Sequence, residues 1–420
     1  MSHPQAHVLP GSAANPPTAQ RWQVLAAGTL ANAAFSMTFS GIPMTAIMLR
    51  SSYGLDTAGL GLMLGLMGLG IAISELPWGL LTDRWGDRPV LLTGLSGTTL
   101  ALAALALWAA PRSGQIPPLT LLGALLLLLG LLGGSVNGAS GRAIMLWFDA
   151  GQRGLAMSIR QTAIPMGGAL GALILPGLAL QQGFTMVYGL LAIASALAAL
   201  LCLLWIHDPD RMQDQRCSPK ARQTSGSTLR SKQVWLLCLG IALLCVPQFA
   251  VLQFGTVFLH DMGRLGTGAI AAAMAALQIC AMALRICSGH WTDRRGNRAS
   301  YLGRCIALSA LLFALLAAAS AMQLTGGILA LLLALCGTAI SAWHGVAYAE
   351  LATSAGATQA GTALGMCNTL VFVANFLTPQ AVAGLLQHAP WAAVWTLAGA
   401  ISLLAWPLLA RRSSAPQYAS

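Results

Sequence analysis

Charge is scarce in this chain. Acidic and basic side chains make up 8% of the 420 positions, against roughly 25% in a soluble globular domain, which excludes a water-facing surface over most of the molecule. Lysine is nearly absent: only Lys220 and Lys232 occur, and neither lies in a GxxxxGK[ST] loop, so the chain carries no phosphate loop for nucleotide-driven pumping. The 22 basic residues outnumber the 11 acidic ones, but they are dispersed between apolar stretches, whereas nucleic-acid binding needs a basic cluster. Cysteine first appears at Cys202, and the nine present form no CxxC pair. Neither a disulfide framework nor a metal site is expected, and most of the thiols sit in apolar runs as small hydrophobes. No HExxH, GxSxG or paired His and Cys constellation occurs, so an enzyme is not expected, and neither is any cofactor.

What the chain has in abundance is apolar length, 56% of its residues being hydrophobic. Arg21 followed by an apolar run containing Ala31-Asn32-Ala33 resembles a secretory signal. The run continues to Leu49, however, beyond the about 20 residues that span a bilayer, and it is read as a retained first span. Twelve spans follow from such runs: 22–49, 58–81, 89–110, 118–148, 154–180 and 184–206, then 233–259, 267–291, 299–322, 326–351, 361–386 and 391–410. The expected organisation is a disordered tail at 1–21, a six-helix bundle at 22–206, a solvated linker at 207–232, a second bundle at 233–411 and a tail at 412–420. With the N-terminus inside, fifteen basic residues in the breaks face the cytoplasm and only Arg50, Arg112 and Arg264 face out. That bias fits the retention of basic loops and an even number of spans, with both termini cytoplasmic.

The halves repeat. Gly79, Asp83, Arg84, Gly86 and Arg88 after the second span recur 210 positions later as Gly289, Asp293, Arg294, Gly296 and Arg298. Both copies lie on one side, so the repeats are parallel. A weaker echo, offset by 207, pairs Asn137-Gly138 with His344-Gly345. On this duplicated G-x-x-x-D-R-x-G-x-R loop the chain resembles the major facilitator superfamily of secondary transporters over nearly its whole length. The resemblance implies an all-α integral membrane fold of twelve transmembrane helices in two parallel-repeat six-helix bundles, rocking around a central site. It also implies a monomer in a bacterial inner membrane and a cytoplasmic charge latch at those ten loop residues. Enforcement of topology alone is the simpler reading of the same arginines. The fifth span carries Pro165-Met166-Gly167-Gly168, one residue shorter than the antiporter element GPxxGG and without its first glycine.

Ionisable residues inside spans are costly and are therefore site candidates. Arg142 and Arg160 flank the loop around Asp149 to Arg153 at similar separations, on adjacent helices, with no acid near them in sequence. Two guanidiniums suit a carboxylate or phosphate, although snorkelling or carbonyl capping at the cytoplasmic edge fits them too. Glu75 and Arg285 stand 210 apart, each eight residues before its loop aspartate. In the family, the second helix packs beside the eleventh and the fifth beside the eighth. That arrangement would bring Glu75 near Asn368 or Asn375, and Arg285 near Arg160. Glu75 is the candidate proton carrier, or else a structural ion-pair partner. Asn32, Asn137, Gln161 and His344 add polar atoms, His344 serving either a substrate or the packing beside Trp343.

The expected function is proton-coupled movement of a small anionic or polar solute across the membrane. Its partners are that solute, protons and the bilayer. Export of a siderophore, metabolite or drug by proton antiport fits the same residues, and a membrane receptor is a minor alternative.

Overall fold

The computed structural model describes residues 18–112, 115–148, 150–207, 230–295, 297–355 and 360–410. Most of the two expected tails and of the linker at 207–232 lies outside them. Among the described residues the secondary structure is helical: α1 (Thr18–Met44), α2 (Ala46–Tyr53), α3 (Thr57–Trp85), α4 (Asp87–Ala104), α5 (Leu119–Trp147) and α6 (Ala150–Trp205), then α7 (Lys232–Asp261), α8 (Thr267–Arg295), α9 (Arg298–Ala321), α10 (Gly326–Ser341), α11 (His344–Ala355), α12 (Ala360–Leu386), α13 (Trp391–Leu404) and α14 (Trp406–Leu409).

Local chemistry sets the ends of these helices. Asp56 caps α3 by accepting from the Gly59 N–H at 2.7 Å, and Ser231 caps α7 through Val234. Gly86, at φ +94°, makes the sharp junction between α3 and α4 that a side chain would resist. The long α6 is two helices meeting at Gly183, whose φ of +77° turns the chain back. The expected break between the fifth and sixth spans falls there.

Ten helices among the described residues are long and apolar enough to cross a membrane, α6 counting as one of them. The helix over the first expected span, α1, is not among the ten. It buries Asn32, Ser36, Thr38 and Ser40, and these polar residues dilute its apolar character. Large apolar side chains such as Leu80, Leu100, Trp108 and Leu197 face outward, as a hydrocarbon solvent permits.

Within the first half α1 packs on α6, and α3 and α4 on α5. Within the second, α7 packs on α12 and α9 on α13. The halves meet chiefly through α3 with α12 and the first part of α6 with α8, and α1 and α2 also touch α7. The first two pairs are the neighbours that the resemblance implied.

The antiparallel α3 and α12 keep one register. Gly61 meets Pro379, Gly65 meets Phe376 and Gln380, Gly68 meets Asn375, and Glu75 meets Asn368. One more turn brings Gly79 level with Gly365, where a methyl group on either would find no neighbour within 4 Å among the described residues. The helices are therefore in contact from Gly61 to Glu75 and part beyond it. At the end where they touch, Arg50 of α2 donates to both carboxylate oxygens of Asp261 on α7, at 2.6 and 2.7 Å. The molecule is closed at the Arg50 to Asp261 face and parted between α3 and α12 toward the Asp-Arg loops.

Candidate functional site

Glu75 lies at the point where α3 and α12 separate. Its side chain is 7% exposed, and Oε1 accepts from Asn368 Nδ2 at 3.0 Å across the boundary between the halves. Oε2 has no hydrogen-bond partner. Asn368 is oriented in turn by Tyr348, whose hydroxyl donates to Oδ1 at 3.1 Å. The amide is thus held with its NH2 toward the carboxylate.

Arg160, on α6, approaches from the first half and is 5% exposed. Its Nη2 donates to the Asn137 carbonyl at 2.7 Å and its Nε to Ser140 Oγ at 3.0 Å, both on α5. Glu75 lies within its electrostatic reach. Among the described residues the two form no ion pair or hydrogen bond, so Glu75 acts on Arg160 only through its field.

Arg285 lies on α8, which packs on α6, the helix of Arg160. The span expected at 326–351 breaks between Ser341 and His344, which frees carbonyls at the end of α10. Arg285 Nε reaches the Ser341 carbonyl at 3.4 Å, while Ser288 and Tyr301 donate to that of Ala342 at 3.3 and 3.2 Å. A cation at a helix C-terminus is favoured by the dipole, which accounts for a guanidinium at this depth. Around it stand Cys245, His344 and Tyr348, and no carboxylate among the described residues pairs with it. The His344 ring stacks on Trp343, with centroids 4.0 Å apart, and then on Tyr348 at 5.9 Å. His344 Nδ1 and Trp343 Nε1 are without partners among the described residues.

Tyr348, Asn368 and Glu75 form a hydrogen-bonded chain, with Arg285 in the field of Tyr348 at one end and Arg160 in that of Glu75 at the other. The remaining candidates are placed less centrally. Gln161 is exposed beside Arg160, and Asn137 contributes its backbone carbonyl. Asn32 is fully buried with both amide atoms unpartnered, as is Asn375. Arg142 does not share the site. It donates to the Thr82 carbonyl and lies 3.4 Å from Asp87 Oδ1, at the α3 to α4 junction, because the end of α3 and the acid opening α4 draw the guanidinium there.

Tyr348, Ser140 and Ser341 were missed in the sequence. Tyr348 carried one legible sign, its position one turn after His344 on a shared helical face.

Of the expected latch, Gly296 and the side chains of Asp83 and Asp293 lie outside the described residues, and Gly79 and Gly289 are on the closing turns of α3 and α8. Arg84 and Arg294 are exposed. Arg88 donates to the Leu203 carbonyl at 2.9 Å, and Arg298 to Thr353 Oγ1 at 3.1 Å with Glu350 at 3.8 Å. Each of these contacts stays within one half.

Comparison with known proteins agrees with this architecture. The family model described as Major Facilitator Superfamily matches residues 28–379. MFS-type transporter MT3072 of Mycobacterium tuberculosis (strain CDC 1551 / Oshkosh) is 30% identical over 397 residues, covering 94% of this chain and 86% of that protein. The "Probable galactarate/D-glucarate transporter GudP" of Bacillus subtilis (strain 168) is 25% identical over 173 residues, or 40% of this chain and 37% of its own. Among solved structures, a D-xylose-proton symporter superposes with a TM-score of 0.76 at 16% identity, covering 93% of this chain and 97% of that one. The peptide-transporter-family protein PepTSo gives 0.73 at 14%, covering 93% and 97%. These two likenesses concern the fold alone. With helices that touch at one face and part at the other, and a family match over most of its length, the chain belongs to the Major Facilitator Superfamily and is a multi-pass membrane transporter, not an enzyme.

Proposed function

We propose that this transporter moves a small organic anion across a bacterial inner membrane by alternating access, coupled to protons through Glu75. The observation that carries this reading is Glu75 itself: a buried carboxylate between the halves, within the field of Arg160, held by Asn368 on one oxygen and unpartnered on the other among the described residues. A proton arriving on Glu75 removes a negative charge from the field of Arg160, which links protonation to the approach of a substrate anion. Arg160 and Arg285 supply anion contacts, with His344, Asn368, Asn137 and Gln161 as polar neighbours and Asn32 more remote. The acid-sugar name carried by the partial relative GudP supports the anionic class.

In this reading the Arg50 to Asp261 face is extracellular and the Asp-Arg loops are cytoplasmic, as the basic residues favour. The two bundles at 22–206 and 233–411 rock as a monomer, and the loop residues latch the cytoplasmic side when it closes.

Proteoliposomes with an imposed pH gradient test the coupling. Glu75→Gln should abolish proton-driven accumulation while leaving solute counterflow intact. Undiminished accumulation in that variant rejects Glu75 as the carrier.

A further inference from the structure

A third group shares the contact between Arg50 and Asp261 at the closed face. Arg50 Nη1 and Nη2 donate to Oδ2 and Oδ1 of Asp261 at 2.6 and 2.7 Å, and His260 Nδ1 lies 2.7 Å from the same Oδ1. An ionised carboxylate only accepts, so Nδ1 carries the hydrogen and Nε2 is the nitrogen left to take a proton. The His260 side chain is 47% exposed, which admits solvent to the ring. Arg50 belongs to α2 in the first half, whereas His260 and Asp261 are neighbours on the last turn of α7 in the second. When the halves part at this face, Arg50 leaves and the imidazole stays with the carboxylate.

Few other titratable groups stand at this end of α7. Of the helices packed against it, α2 brings Arg50, its Tyr53 being turned toward Ala109 and Tyr188, and the others carry no Asp, Glu, Lys, Arg or His toward this end. The turn after α7 adds Arg264, whose backbone N–H donates to the His260 carbonyl at 3.1 Å, and the turn after α12 adds His388. Neither of those two side chains has a polar contact among the described residues. The charges that act on Asp261 are Arg50 and His260.

We infer that His260 is a second proton site, separate from Glu75, and that protonation there opens the face that Arg50 and Asp261 close. The inference rests on the alternating-access reading above and adds a control to it. With a neutral imidazole, Arg50 faces one net negative charge across the boundary. A protonated imidazole cancels that charge and sets a cation beside the guanidinium, so the attraction between the halves is lost. The same fields act on the proton. In the closed form Arg50 disfavours it, and in the open form Asp261 alone remains to favour it, so His260 holds the proton more tightly when the face is open. A pH falling through the imidazole range therefore populates the open form. In the orientation proposed above, acid on the outside opens the transporter to the outside.

The test uses the purified full-length transporter with spin labels at Ser51 and Gly268, exposed positions in opposite halves. Distances are compared at about pH 5.5 and about pH 8, on either side of imidazole titration, at constant ionic strength. In the wild type the ratio of open to closed should rise in acid by up to about fivefold, the most that an exposed pair supplies. His260→Gln keeps a donor for Asp261 but cannot charge, and should hold the alkaline ratio at both pH values. His260→Lys, charged at both, should hold the acid ratio. Glu75→Gln should respond to acid as the wild type does, because His260 is intact.

An unchanged wild-type ratio, closure in acid, or an acid response that survives in His260→Gln overturns the inference. A response that survives in His260→Gln and vanishes in Glu75→Gln assigns the effect to Glu75, which overturns the inference and supports the coupling reading. Proton-driven accumulation that proves independent of Glu75 rejects the coupling reading and leaves these distances, and the inference drawn from them, standing.

Discussion

The Tyr348 hydroxyl is the smallest group on which the site's geometry depends. It donates to Asn368 Oδ1 and so turns the amide NH2 toward Glu75. Without it the amide is free to rotate and to present its oxygen to the carboxylate, which repels it. Tyr348→Phe removes one oxygen and preserves the ring that stacks beside His344. One hydrogen bond contributes about 0.5–1.5 kcal/mol, so transport should fall roughly two- to tenfold with the melting temperature almost unchanged. Initial uptake rates in proteoliposomes check this, and an unaltered rate would show that Asn368 needs no orienting partner.

Tyr348 also marks how far single residues were legible. Glu75 and Arg285 stood out because a charge inside an apolar run is costly whatever its neighbours. Their partners did not stand out. Arg160 lies 85 positions from Glu75, so the field each feels from the other emerged only in the fold. Arg142 looked equivalent to Arg160 by spacing, yet spacing says nothing of Asp87 arriving from the start of another helix.

Between elements, glycine decides how closely helices approach and where they are free to move. Gly70 lies so close to α5 that a methyl group would fall 2.3 Å from the Leu127 carbonyl oxygen and 2.6 Å from the Leu131 nitrogen, both backbone atoms that cannot rotate away. Gly70→Ala should destabilise the first half by about 1–3 kcal/mol, the usual cost of overpacking. A drop of a few degrees in the melting temperature of detergent-solubilised protein is the expected reading, and no drop would mean that the α3 to α5 contact is looser than drawn.

Gly79 behaves oppositely. A side chain there meets no neighbour among the described residues, but in the proposed alternating cycle it would meet α12 as the gap closes. Gly79→Leu should therefore leave stability intact and slow transport about tenfold, since blocking closure by 1.4 kcal/mol has that effect. Normal turnover in Gly79→Leu would show that α3 and α12 do not meet at this level.

Helix existence was readable from apolar length, as was the order of the elements. The breaks were less so. Gly183 divides two helices by a backbone angle only glycine adopts readily, and the glycine was visible. The interruption after Ser341 carries no proline and no glycine, only Ala342-Trp343, and it exists because Arg285, Ser288 and Tyr301 accommodate the freed carbonyls from other helices. No local signal announces such a break.

At the scale of the whole molecule, the conformation is held shut at one face partly by a single ion pair. Arg50 and Asp261 come from opposite halves and form a bidentate contact, with His260 Nδ1 also 2.7 Å from Asp261 Oδ1. Both partners retain a quarter to a third of their side-chain exposure, 26% and 32%. A pair so placed contributes about 0.2–1 kcal/mol. That is small against folding but not against a balance between two conformers, where it changes the population ratio by up to about fivefold. Asp261→Asn should accordingly move the ensemble toward opening at this face without unfolding it. Spin labels on the exposed positions Ser51 and Gly268, one in each half, report the separation. The distance distribution of the wild type should be dominated by the short component, and Asp261→Asn should enlarge the long one. The exchanged pair Arg50→Asp with Asp261→Arg should restore the short component, because attraction and not residue identity closes the face. High salt should loosen the wild type and leave Asp261→Asn unmoved, since only the former has an exposed pair to screen. If all four distributions coincide, closure at this face rests on the packing of Gly61, Gly65 and Gly68 against α12, and the ion pair is incidental to it.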